Sequence, residues 1–107
     1  MAKQSAPPEL AKIAPKLVEV TNEVLFDDVW ERPELSPRDR SLITVSVLAA
    51  LYRTEQLGYH LRTALANGLS VEELSEAITH LAFYAGWPNA MTAINQLKAI
   101  ADEQTTD

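Results

Sequence analysis

The sequence predicts an all-α fold in one small domain. Apolar residues recur at helical spacing in several stretches, no strand-like alternation of useful length occurs, and Gly, Pro and Ser stand where helices would start and stop. A chain of 107 residues with 47% hydrophobic content can bury one apolar core and not two. Residues 1–107 are therefore expected to form a single domain of about five to six helices, with 1–10 a loose arm around Pro7 and Pro8 and 102–107 a frayed tail.

The first firm helix is expected to start near Pro15, because proline suits a first turn and not a helix interior. It carries Leu17, Val18, Val20, Val24 and Leu25, then gives way to a loop in LFDDVWERPEL, where Pro33 and the charged residues break the pattern. A second helix should begin at Pro37, with Ser36 as N-cap and Asp39 placing a carboxylate near the positive end of the helix dipole. From Leu42 to Tyr52 it is apolar around nearly its whole circumference. That pattern calls for burial on more than one side and, in so small a chain, for an oligomer core.

A short third helix in EQLGYHLRTALANG places Leu57, Leu61, Ala64 and Leu65 on one face and ends at Asn67 and Gly68, a pair suited to a left-handed C-cap. Ser70 and Glu73 then form a capping box, with Leu69 and Leu74 placed as a hydrophobic staple, so a fourth helix should run from Val71 to about Ala85. Its core stripe is Val71, Leu74, Ile78, Leu81, Ala82 and Ala85, and it stops at Gly86. Trp87 and Pro88 open a fifth helix carrying Ala90, Ile94, Leu97 and Ala101.

Composition removes several function classes. Nine Lys and Arg against fifteen Asp and Glu give a formal charge of -6, which repels a phosphate backbone and argues against nucleic acid as a partner. With no cysteine there is no disulfide framework, thiolate metal site, iron–sulfur cluster or Cys nucleophile. Two histidines leave little for a zinc or iron site, so no metal is expected. The apolar run from Val45 to Tyr52 is far short of the ~20 residues that span a bilayer, and MAKQSAPPEL has no signal-peptide hydrophobic region. The expectation is a soluble, cytoplasmic protein with no membrane partner.

The histidines are the candidate acid–base groups, because imidazole exchanges protons near neutral pH. His60 borders the apolar stripe of the third helix, with Gln56 one turn before it and Arg53 and Glu55 near the helix start. On the fourth helix, His80 has Glu76 at i−4, Tyr84 at i+4 and Trp87 at i+7, an acid, imidazole, phenol and indole in one column that could line a pocket. Taken alone, either histidine is more commonly a hydrogen-bonded, half-buried structural side chain, and Tyr84 and Trp87 are more commonly large packing residues with their polar tips satisfied. Arg40 and Arg53 flank the apolar second helix and could hold a carboxylate at a pocket edge. No nucleophile motif, Gly-rich phosphate loop or metal-spacing motif is present.

The segments SPRDRSLITVSVLAAL, HLRTALANGLSVEEL and AITHLAFYAGWPNAM, in that order, resemble the carboxymuconolactone decarboxylase family from about Leu25 to Ile100. The resemblance implies a small subunit of the alkylhydroperoxidase D-like fold that assembles into a ring-like homohexamer. Members of the same superfamily that act on hydroperoxides use a Cys-x-x-Cys pair with a His four residues on and a Glu upstream. Aligning that His with His60 puts Arg53 and Gln56 at the cysteine positions and Ser41 at the Glu position, so a thiol peroxidase is excluded for want of a thiol.

What the decarboxylase branch implies is loss of CO2 from 4-carboxymuconolactone or a related lactone carboxylate in protocatechuate catabolism, the β-ketoadipate pathway. No cofactor is expected, since the unsaturated lactone itself accepts the electron pair. On this resemblance His80 is the expected acid, with Tyr84 and Trp87 shaping the pocket, His60 and Glu55 a second polar cluster, and Arg40 or Arg53 binding carboxylate. The expected partners are a small-molecule carboxylate and further copies of the chain. A lyase or isomerase on another small acid, and a non-catalytic hexameric binding protein, stay open as alternatives.

Overall fold

The computed structural model describes residues 4–105. The chain forms two compact units, one ending at Pro37 and the other starting at Arg38. In the first, a 3₁₀ turn at Pro8–Lys12 precedes α1 (Pro15–Val20), which continues as a π-helical stretch at Thr21–Phe26, and a second 3₁₀ turn spans Val29–Glu31. Proline stands at the start of both Pro8–Lys12 and α1, as its fixed φ and missing N–H favour. The widening of the helix begins at Thr21, whose hydroxyl donates to the Leu17 carbonyl at 2.7 Å and competes with the regular ladder. Of the stretch expected as a loose arm, 1–3 lie outside the described residues, and the rest has local order: the Ala6 amide donates to Asn22 Oδ1 at 2.8 Å, and Pro8–Lys12 winds into its turn. Among the described residues of this unit only Trp30 is buried, while Leu17 and Val24 stay exposed.

The second unit holds four helices: α2 (Pro37–Ala50), α3 (Thr54–Ala66), α4 (Val71–Ala85) and α5 (Trp87–Thr105). Their starts at Pro37, Val71 and Trp87 are those expected from the proline and capping signals. The fifth helix runs further than expected, through 102–105; Lys98 reaches Asp102 at 2.8 Å one turn on, and Arg62 of α3 reaches Glu103 at 3.1 Å. The remainder of the expected tail, 106 and 107, lies outside the described residues.

The core joins all four helices through Val45 and Ala49 of α2, Leu57, Leu61 and Ala64 of α3, Leu74, Ile78 and Leu81 of α4, and Ala90, Ala93, Leu97 and Ile100 of α5. α5 packs on both α4 and α3. The apolar girth of α2 is not buried on every side: Ser41, Val45 and Ala49 are inside, whereas Ile43, Val47 and Leu51 are about half exposed on the other side. Buried Ser41 is satisfied by Asn67, whose Nδ2 donates to the hydroxyl at 2.9 Å. Among the described residues no helix is long and apolar enough to cross a membrane.

The turns follow the same logic of orphaned carbonyls. At the end of α3, Gly68 takes φ 105°, its amide donates to Leu65 O at 3.2 Å and the Leu69 amide to Ala64 O at 3.0 Å. The end of α2 closes in the same way, through Tyr52 N to Ala49 O at 3.1 Å and Arg53 N to Leu48 O at 2.8 Å, but the left-handed residue is Tyr52 at φ 60°. A side chain there costs about 1–2 kcal/mol in Cβ crowding. Gly86, at φ 111° and ψ 148°, alone separates α4 from α5 in a region closed to other residues.

The capping box of α4 is complete: the Glu73 amide donates to Ser70 Oγ and the Ser70 amide to Glu73 Oε1, both at 3.0 Å. The bond from the Ser70 amide, assisted by the charge of Arg38, which pairs with the same carboxylate, holds Glu73 below the usual carboxylate range. Ser70→Ala should therefore lower the unfolding free energy by about 0.5–2 kcal/mol, read as a shift of the urea midpoint with unchanged m-value. An unchanged midpoint would show that the box contributes nothing to stability.

Candidate active site

α4 turns its apolar stripe inward, so the residues between those positions are carried to the outside. His80 and Tyr84, one turn apart, bring their rings to 5.0 Å between centroids at a tilt of 33°. Phe83 and Trp87 form a second pair, edge to face, at 5.4 Å. The helical spacing that would carry the His80 column on to Trp87 ends at Gly86, and Trp87 meets Phe83 instead. Glu76 is exposed on the same helix. This surface is open: Tyr84 is 81% exposed, Phe83 73% and Trp87 56%. Sequence reasoning missed Phe83, whose pairing with Trp87 depends on the turn at Gly86 and not on helical spacing.

Trp87 also lines an apolar groove of about 150 Å³ between α4 and α5, with Ile78, Thr79, Ala82, Ala90, Met91 and Ile94. None of these residues is ionisable, and the hydroxyl of Thr79 already donates to Ser75 O at 2.8 Å. Such a groove suits the apolar part of a small molecule and lacks the means to hold a carboxylate. Neither histidine lines it.

His60 lies on α3, half-buried, with the Tyr59 ring edge-on at 4.9 Å. Its Nδ1 is buried and has no hydrogen-bond partner. Burial pushes its pKa below the usual 6.5, because desolvation penalises the imidazolium. Glu55 is exposed in the first turn of the same helix, and its five-residue separation from His60 turns the two side chains to different sides. Neither hydrogen-bonds the other among the described residues. The structure thus does not gather Glu55 and His60 into one polar cluster.

The two arginines mark opposite ends of α2. Arg40 is half-buried in its first turn. Arg53 is exposed beyond its last turn, where it is also the N-cap residue of α3 without a side-chain cap bond. The helix between them is roughly 15 Å long at 1.5 Å per residue, so the two stand well apart along α2. Among the described residues no three His, Asp or Glu side chains come together as a metal-binding group.

A family model described as "Carboxymuconolactone decarboxylase family" matches residues 15–99, which takes in α1 through most of α5. Two characterised relatives align over much of the same length. One is a 4-carboxymuconolactone decarboxylase of Acinetobacter baylyi, 41% identical over 75 residues, covering 70% of this chain and 56% of the relative. The other is a nitrosuccinic acid decarboxylase of Metarhizium robertsii, 36% identical over 76 residues, covering 71% of this chain and 53% of the relative. The aligned part spans about half the length of these curated relatives. With a family match over most of the helical chain, in an all-α fold whose sequence holds no cysteine, this protein belongs to the carboxymuconolactone decarboxylase family.

Proposed function

We propose that the protein is a cofactor-free carboxy-lyase that removes CO2 from 4-carboxymuconolactone or a related small carboxylate in aromatic catabolism. The observation that carries this reading is the likeness to two proteins named for decarboxylation of different acids. The two acids share a useful chemistry. Each holds a group, an unsaturated lactone in one and a nitro group in the other, that can take up the electron pair of the breaking C–C bond. The substrate is then its own electron sink, and the protein has to bind carboxylate, stabilise the displaced charge and return one proton to carbon.

In this reading the carboxylate C–C bond breaks, CO2 leaves, and its bonding pair flows into the lactone to give an oxyfuran-like anion. His80 delivers a proton to carbon, which restores the neutral ring, and solvent reprotonates the imidazole. Its open position on α4, beside the Tyr84 ring, gives it access to both substrate and water. His60 is the weaker candidate for the acid, because burial favours its neutral form. Arg53, exposed at the α2–α3 corner, is the stronger of the two arginine candidates for substrate carboxylate, with Arg40 the alternative. Trp87 and the groove beside it would accept the apolar edge of the ring.

The exposed apolar surfaces support assembly as part of the same proposal. Ile43, Val47 and Leu51 on α2, and Phe83, Tyr84 and Trp87 at the α4–α5 corner, are large side chains left at the surface of one chain. We place them in contacts of a ring-like homohexamer. Light scattering should give a mass near six chains; a stable monomer at micromolar concentration would refute the assembly.

Ultraviolet monitoring of 4-carboxymuconolactone should show turnover by the purified protein without added metal, and His80→Ala should lower kcat about 10²- to 10⁴-fold with assembly retained. Undiminished turnover in that variant would remove His80 from the role of acid.

His60 also gives the fold a pH dependence. Its folded pKa is depressed below 6.5, so the unfolded chain binds more protons as the pH falls past that value. Its contribution to stability is complete above the unfolded pKa and is lost as pH falls through the lower, folded pKa. His60→Gln should flatten the acid-side loss between neutral pH and pH 5 in urea titrations, and an identical slope in both proteins would rule His60 out as its source.

A further inference from the structure

One side of α5 holds the α2–α3 corner by polar bonds. Asn89 Nδ2 donates to the carbonyls of Ala49 at 3.3 Å and Ala50 at 2.9 Å, at the end of α2. Three residues on, Thr92 Oγ1 lies 3.4 Å from the Tyr52 hydroxyl, and four further on Gln96 Nε2 donates to Thr54 O at 3.2 Å, at the start of α3. Spacings of three and four set Asn89, Thr92 and Gln96 along one side of the helix. Their partners run from one side of Arg53 in the sequence to the other.

The strain of the corner is stored at Tyr52, and Arg53 follows it directly. The Arg53 amide closes α2 onto Leu48 O at 2.8 Å, the Arg53 carbonyl accepts the first bond of α3 from the Leu57 amide at 3.2 Å, and Tyr52 stands at φ 60°. A tyrosine in the left-handed region persists only where its surroundings over-determine the backbone. The stripe on α5 supplies that restraint on both flanks. A guanidinium recognises a carboxylate through two parallel bonds of fixed direction, so the backbone that carries it must not wander.

We propose that Asn89, Thr92 and Gln96 are positioning residues, which lock the strained α2–α3 corner so that Arg53 meets one carboxylate of the substrate in a single orientation. The use assigned to Arg53 rests on the carboxy-lyase reading given above. A stripe that served only to fasten α2 would affect stability and leave substrate affinity alone.

The test uses Gln96→Met, which keeps the length and removes the donor, and Thr92→Val as a milder second variant should the first fold poorly. Backbone amide exchange at Arg53 and Leu57 should quicken roughly two- to tenfold, while Leu74 and Ile78 of α4 keep their protection. With 4-carboxymuconolactone, KM should rise by roughly two- to tenfold and kcat stay within about twofold. In an Arg53→Ala background the same substitutions should add nothing further to KM. Unaltered exchange at the corner, or a KM effect that adds in full to that of Arg53→Ala, would overturn the proposal. Absence of turnover by the unsubstituted protein would overturn the carboxy-lyase reading and the use of Arg53 with it, while the exchange result still decides whether the stripe holds the corner.

Discussion

Ala90, Ala93, Leu97 and Ile100 are buried along α5 at intervals of three, four and three, so this helix needs apolar partners along most of its length. α3 and α4 supply them, and each does so with one stripe: Leu57, Leu61 and Ala64 on α3, Leu74, Ile78 and Leu81 on α4. The three inside positions of α5 other than Leu97 are alanine or isoleucine, and the two alanines leave room for the leucines that face the same core. The amphipathic sides of α3 and α4 are thereby committed inward, and what remains on their outer sides is free of packing duty. His80, Phe83 and Tyr84 stand on such an outer side.

Packing helices this closely in a short chain leaves little backbone for the connections. Three residues join α2 to α3, four join α3 to α4, and one joins α4 to α5. Each connection needs a residue at positive φ; glycine fills that place at 68 and 86, and tyrosine fills it at 52. Glycine takes such angles without Cβ crowding, so the two glycine turns require no outside restraint from that source. The tyrosine turn has no such freedom, and it is the turn that α5 grips with Asn89, Thr92 and Gln96. Asn67 does a related service at the other end of α2 by donating to buried Ser41. The least regular polar contacts of the unit thus fall on α2, the helix whose apolar girth exceeds what one core can cover.

The fold was legible where local chemistry decides local structure. Pro37, the Ser70 and Glu73 pair, Gly68, Gly86 and the Trp87–Pro88 step each act within one turn of chain, and the helix boundaries follow them. Less was legible where a residue answers to a distant partner. On α5 the expected Ala90 and Leu97 are buried and Ile94 packs partly buried against the core, but Ala93 and Ile100 are buried as well, because α5 faces α3 as well as α4. The π-helical turn after α1 depends on a hydroxyl competing with the backbone, which periodicity does not register. Both histidines were identifiable by residue type alone, but their settings differ in ways that spacing could not supply: His60 half-buried with an unpaired Nδ1, His80 open beside Tyr84. The extension of the His80 column to Trp87 failed for a local reason, since one glycine at φ 111° resets the helical phase.

The proposed chemistry sets a demand that the open His80 surface meets only in part. An oxyfuran-like anion is best stabilised where water is excluded, because fixed dipoles and charges act more strongly in a low dielectric. A surface with Tyr84 mostly in solvent gives the proton donor access but not that exclusion. The apolar groove between α4 and α5 gives an apolar surface but neither charge nor proton. Arg53, at the far end of α2 from Arg40, gives charge but no enclosure. Within the carboxy-lyase reading these three provisions have to act on one small molecule, and the exposed sides of α2 and of the α4–α5 corner are the surfaces whose coverage would turn an open arrangement into a closed one. The assembly proposal and the catalytic proposal are therefore coupled through desolvation: covering Phe83, Tyr84 and Trp87 removes water from around His80, which strengthens every charge–charge interaction the reaction would use.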